Sequence, residues 1–201
     1  MEIKDPTGTL PDQNEGKEIV IEQSVTLPDI SAATALYVRA RTRLLRINEW
    51  HQIAGSISAS FQLTDSSGAV LNREAIEGDF VRIDIPGPGS KAGNGYDWVR
   101  IEQITELYGG TDAVAMRVRP AANPSGTSDQ IAHFYDAAAT STFMVERDGV
   151  IVYARIIDRN TKTNDDTSSF TDQLRHSLVG AAAIGLFSRL QWESLGKAFI
   201  S

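Results

Sequence analysis

Ser141–Ile157 reads STFMVERDGVIVYARII, two runs rich in β-branched and aromatic residues on either side of Asp148-Gly149. An Asp-Gly pair supplies the positive φ angles that a tight hairpin turn requires. It predicts an antiparallel hairpin of residues 141–147 and 150–157. Upstream, AVAMRVR (113–119), WVRIEQI (98–104) and FVRIDI (80–85) read as further strands. Earlier still, Ile57, Ala59, Phe61 and Leu63 alternate with Ser58, Ser60, Gln62 and Thr64, the period of a strand with one buried face. After the turn TDSSG, AVLNREAI (69–76) is at best a weak extra strand, and Glu77-Gly78 turns the chain into FVRIDI.

Helical spacing flanks this block of strands. KEIVIEQSVTL (17–27) is a first strand stopped by Pro28, and Asp29 or Ser31 then caps a helix running to about Ile47. Ala33, Tyr37, Ala40, Leu44 and Ile47 form its buried stripe. Asn48–Gly55 closes that helix or begins a short second one. Ser168–Ile200 is read as a long helix, with Ser168 or Ser169 as cap and Phe170, Leu174, Leu178, Ala181, Leu186 and Leu190 near one stripe. Its middle, VGAAAIGLF, is apolar all round and has to be covered on several sides.

The bulk numbers bound the answer. The chain has 201 residues, 41% apolar and 22% charged, which suits a globular domain with a sizeable core. Residues 1–16 hold prolines, glycines and few apolar groups and read as a flexible tail, leaving 17–201 as a single domain. With 26 acidic and 19 basic residues the net charge is −7, which repels phosphate backbones and argues against nucleic acid as a partner. The absence of cysteine excludes disulfides, thiolate nucleophiles and thiolate metal sites. The N-terminus has no apolar core segment and reads as no signal peptide, and the longest apolar run, Leu178–Phe187, is about half what a bilayer requires. A cytoplasmic protein with no membrane span is expected.

The order of strand, helix, antiparallel meander and long C-terminal helix resembles the helix-grip superfamily, the START- and polyketide-cyclase-like proteins. The resemblance covers residues 17–200 and is carried by KEIVIEQSVTL with the helix after Pro28, by INEWHQIAG (47–55) and by the helix from Ser168. It implies an α+β fold in which a curved antiparallel sheet of roughly six to eight strands wraps the C-terminal helix. It also implies an apolar cavity between the two, for an apolar or amphipathic small molecule. The superfamily has no shared catalytic residues to carry over, so the chemistry stays undetermined. The possible strand at 69–76 and the long connections at 86–97 and 120–140 depart from the pattern.

In a simple meander, connections alternate between the two ends of the sheet. The long ones, 86–97, 120–140 and 158–168, then gather at one end, and Lys91, Tyr96, Asp97, His133, Tyr135 and Arg159 form the candidate ligand-binding set. Strand parity separates the faces. Val81, Ile83, Val99, Ile101, Val114, Met116 and Val118 point toward the helix, whereas Phe80, Arg82, Trp98, Arg100, Arg117 and Arg119 point away. Phe80, Trp98, Arg100, Arg117 and Arg119 form a candidate interaction face, with a homodimer as one outcome.

The other motifs are weak. The Gly-rich stretch DIPGPGSKAGNGYDW (84–98) lacks phosphate-loop spacing and precedes a strand. Arg39, Arg43 and Arg46 share a helix face and could grip an anion, although a solvated face is the commoner arrangement. His51, His133 and His176 lie far apart without metal-ligand spacing, so neither a metal nor another cofactor is expected. No GxSxG elbow activates a serine. Three functions compete: a small-molecule binding domain, an interaction module using the Trp98/arginine face, and a cyclase, hydrolase or isomerase of the same shape.

Overall fold

Pro28 ends the first strand, and the Asp29 carboxylate accepts the Ala32 N–H at 2.8 Å to open the first helix. The computed structural model describes residues 3–55, 59–85, 90, 92–164 and 180–201, with side chains described throughout except at 180–188. The elements are β1 (Lys17–Thr26), α1 (Ile30–Leu45), a single 3-10 turn (Ile47–Glu49) and α2 (Trp50–Ile53). Then follow β2 (Ser60–Thr64), β3 (Phe80–Asp84), β4 (Asp97–Leu107), β5 (Thr111–Pro120), β6 (Thr140–Asp148), β7 (Ile151–Thr161) and α3 (Gly180–Phe199). Residues 165–179, with the expected cap, Phe170, Leu174, His176 and Leu178, lie outside the described residues, as do 56–58, 86–89 and Lys91.

The described strands form one seven-stranded antiparallel sheet, ordered β1-β7-β6-β5-β4-β3-β2. Strands two to seven are a plain meander, and β1 closes on β7. Gly149, at φ 58°, makes the hairpin turn that Asp148-Gly149 announces. Residues 69–76 add no strand; only an isolated bridge, Thr64 to Val70, forms there.

The concave face holds the core. Ile21, Val81, Ile101, Val114, Met116, Val145 and Ile156 meet Leu36, Tyr37, Ala40 and Leu44 of α1 and Leu195 and Phe199 of α3. Trp50 joins the layers. Its ring lies 5.3 Å from Phe61, 4.8 Å from Phe143 and 5.8 Å from Phe199, and its indole N–H donates to the Arg43 and Leu44 carbonyls. On α3 the buried face is Gln191, Leu195, Ala198 and Phe199, and Leu190, expected on the stripe, is 56% exposed. The core-facing stripe of the last two turns is offset by one residue from the expected one.

The arginines of α1 serve the fold. Arg41 pairs with Glu74 at 3.0 Å and Glu106 at 2.8 Å, and Arg46 with Glu49 at 3.1 Å. Arg43 donates to the Ala198, Phe199 and Ser201 carbonyls, satisfying orphan acceptors at the end of α3.

Composition suggests a flexible tail for residues 1–16, and the structure gives residues 3–16 defined contacts. Residues 3–16 lie across the convex face of the sheet. Lys4 pairs with Glu146 and Asp148, the Thr9 carbonyl accepts from Arg117 at 2.8 Å, and the Asp12 carbonyl accepts from Asn160 at 3.0 Å. The convex side is correspondingly dry: Ala113, Ala115, Met144, Ile157 and Thr9 are fully buried. Polar composition concealed this, because the segment is held by hydrogen bonds and ion pairs.

Candidate functional site

The meander delivers the connections after β3, β5 and β7 to one end of the sheet, as the alternation requires. The connection 121–139 is latched from both sides there. Trp98 N–H donates to the Ala132 carbonyl at 2.7 Å, Asp136 N–H to Lys162 at 3.0 Å, and Asn164 N–H to Phe134 at 2.9 Å. These bonds bring His133 and Phe134 over the edge of the concave face.

Beneath them, between the sheet and α3, lies a cavity of about 50 Å³. Its aromatic wall is Trp50, Phe61, Phe134, Phe143 and Trp192, and Val81, Ile83, Val99, Met116 and Val118 supply an aliphatic floor. Among the described residues, only His133, Ser141 and Gln191 bring polar side chains to it.

His133 is 6% exposed, and burial pushes it down to about 3, so its ring is neutral at neutral pH. Its Nδ1 accepts the Tyr135 N–H at 3.0 Å, which leaves the ring proton on Nε2. Gln191 is 7% exposed, and its Oε1 accepts the Ala59 N–H at 3.2 Å, which fixes the orientation of the amide. Behind Ser141 and Trp192 sits Asp158, which accepts the Trp192 indole N–H at 2.9 Å. Burial pushes Asp158 up to about 6, against the Ser141 hydroxyl and Trp192 indole that favour its charge. Its second oxygen, Oδ1, is buried without a partner among the described residues. Asp97 is buried under the same connection, and burial raises it to about 7, opposed by the Phe134 N–H at 3.4 Å.

The expected binding set divides. His133 lines the cavity, Asp97 and Tyr135 adjoin it through the 133–135 backbone, and Lys91 lies outside the described residues. Tyr96 stacks under Arg82, 4.6 Å from ring centre to guanidinium, on the convex side. Arg159 also points outward, to Glu18 at 2.8 Å and the Pro11 carbonyl. Both are removed from the cavity by strand parity and by the N-terminal segment.

The expected interaction face loses its centre too. Trp98 is 3% exposed, covered by the folded-back connections, with its indole N–H on the Gly93 carbonyl. Arg117 and Arg119 share Glu102, and Arg119 also donates to the Ala137 and Ala138 carbonyls. Arg100 is exposed and Phe80 half-buried.

Sequence reasoning missed Ser141, Asp158, Gln191 and Trp192. The signal for Asp158 was present: it shares the inward parity of Val152, Ala154 and Ile156, where an acid is out of place. Among the described residues no group of three or more metal-ligating side chains forms, and no helix is long and apolar enough to cross a membrane.

Neither a family model nor a curated relative matches the sequence. Solved structures do. A hypothetical protein from Helicobacter pylori superposes at a TM-score of 0.50 with 14% identity, over 91% of this chain and 88% of that one. A protein from Thermus thermophilus reaches 0.41 at 14% identity, covering 91% of this chain and 94% of that one. Norcoclaurine synthase from Thalictrum flavum reaches 0.36 at 10% identity, covering 94% and 95%. The fold is helix-grip-like. That statement rests on the meander closed by β1 and on the C-terminal helix against its concave face.

Proposed function

We propose that this chain binds a small, mostly apolar molecule in the cavity between the sheet and α3. The observation that carries the reading is the lining: aromatic and aliphatic walls with three polar side chains at one end, the composition of a small-molecule site. The cavity is smaller than the ~300–1,000 Å³ usual for drug-sized ligands, so the ligand is small or displaces the His133–Phe134 corner as it enters. His133 and, through the same connection, Asp97 and Tyr135 are the expected site residues that this reading keeps. A self-associating module is less favoured, because Trp98 is buried and Arg117 and Arg119 are already paired within the chain.

Native mass spectrometry of freshly purified protein tests the reading, with Trp50 and Trp192 fluorescence as a second reporter. A bound small molecule at one per chain is expected. Val118→Phe, which fills the cavity, should abolish that binding while the protein still melts cooperatively. Binding undiminished in Val118→Phe would place the ligand elsewhere.

A further inference from the structure

The polar atoms left over in the cavity are hydrogen-bond donors. With Nδ1 of His133 occupied by the Tyr135 N–H, the neutral ring offers Nε2–H, which has no partner among the described residues. With Oε1 of Gln191 occupied by the Ala59 N–H, the amide NH2 is free on the same terms. One donor comes from the 121–139 connection and the other from α3, and both side chains are more than nine-tenths buried. Ser141, the third polar group, has its hydroxyl beside Asp158. A ligand oxygen in the cavity would give these donors the acceptor that they lack among the described residues.

Charge narrows the class further. Among the described residues, no lysine or arginine lines the cavity. An anionic ligand would therefore be buried without a counter-charge and next to the acids Asp158 and Asp97, which is strongly unfavourable. A cation, although drawn by these acids, would leave the His133 and Gln191 donors without an acceptor. We propose that the cavity takes a neutral apolar molecule bearing a carbonyl oxygen (a ketone, aldehyde, ester or amide), received by His133 Nε2–H and the Gln191 side-chain amide. This inference rests on the ligand-binding reading above and adds the ligand's chemical class.

The test compares acetophenone, ethylbenzene and benzoate at neutral pH, by tryptophan fluorescence and ligand-observed NMR. Acetophenone should bind tighter than ethylbenzene by on the order of tenfold, and benzoate should bind weakest. Gln191→Glu retains an oxygen for the Ala59 N–H and, measured well above neutral pH where its carboxyl is ionised, removes the donor. His133→Asn retains an acceptor for the Tyr135 N–H and removes Nε2. In each variant acetophenone should fall to the level of ethylbenzene, with melting checked alongside. Equal binding of acetophenone and ethylbenzene to the unmodified protein would overturn the carbonyl class while leaving an apolar ligand site intact. Tightest binding by benzoate would overturn the neutral class. If nothing binds and native mass spectrometry shows no ligand, the cavity reading falls with it.

Discussion

Asp97 carries a charge problem that the fold does not solve. Its carboxyl is buried, no cation among the described residues is paired with it, and burial raises it from 3.8 to about 7. An acid with a raised folded pKa binds more protons folded than unfolded in the interval between. Its stabilising contribution is thus complete below about pH 4 and lost as pH rises to about 7. His133, lowered from 6.5 to about 3, runs the other way: stability tied to its neutral form is gained as pH rises through that interval. Replacing Asp97 by Asn isolates the first effect. Asp97→Asn should melt close to the parent at pH 4 and progressively above it toward pH 8, by a few kcal/mol at most. A gap that grows in the parent's favour would mean that the ionised carboxylate has a partner. At this scale the sequence was half legible. Alternation assigned the inward and outward sets on β3, β4 and β5, but nothing in Trp98 or Arg159 announced which connection would cover them.

Between residues and molecule, the elements turn on a few tight approaches. Gly93 packs so closely at the head of β4 that a Cβ there would stand 1.8 Å from the Tyr96 carbonyl oxygen and 3.1 Å from the Trp98 ring. Gly93→Ala should therefore shift the start of β4, with Asp97 and Trp98. The expected result is changed Trp98 fluorescence and a cost of about 1–3 kcal/mol. The glycine-rich stretch around it lacks phosphate-loop spacing, and Gly93 serves steric clearance. On α3, Phe199 is fully buried against Trp50. Phe199→Ala should cost about 3–5 kcal/mol in denaturant titration, and an effect under about 1 kcal/mol would show that the end of α3 is peripheral. Element order was readable because hydrophobic period marks strands and helices locally. The bulge between Ile101 and Gln103, which shifts the register so that Ile104 faces Met116, was hidden inside an unbroken run.

Across the whole molecule, the sheet has helices on its concave side and its own N-terminal segment on the other. Gly16, at φ 65°, is the joint, and a Cβ there would stand 2.5 Å from the Thr161 carbonyl oxygen. Removing residues 1–16 leaves Glu146 without Lys4 and should uncover outward-facing residues such as Met144 and Ile157. Lower thermal stability and new binding of a hydrophobic dye are expected, and an unchanged melt would mean that the segment contributes nothing. The architecture was legible in the order of elements; this covering was not, because no local pattern marks a segment whose partners are distant in sequence.

Those partners lie very far along the chain: Thr9 meets Arg117 at a separation of 108 residues, and Pro11 meets Arg159 at 148. Residues 3–16 are synthesised before the strands that carry the surface they dock on. Until β5, β6 and β7 have paired, residues 3–16 have nowhere to dock, and the nascent sheet keeps one apolar side open. Long-range closure of this kind slows folding and prolongs exposure to aggregation. Docking that follows the rate-limiting step acts mainly on the reverse reaction. In stopped-flow experiments the chain lacking 1–16 should therefore unfold faster while refolding at nearly the parent rate. A matching drop in the refolding rate would instead put the segment inside the folding nucleus. On this account the N-terminal segment is a kinetic latch, setting how long the finished molecule lasts and leaving how fast it forms to the meander.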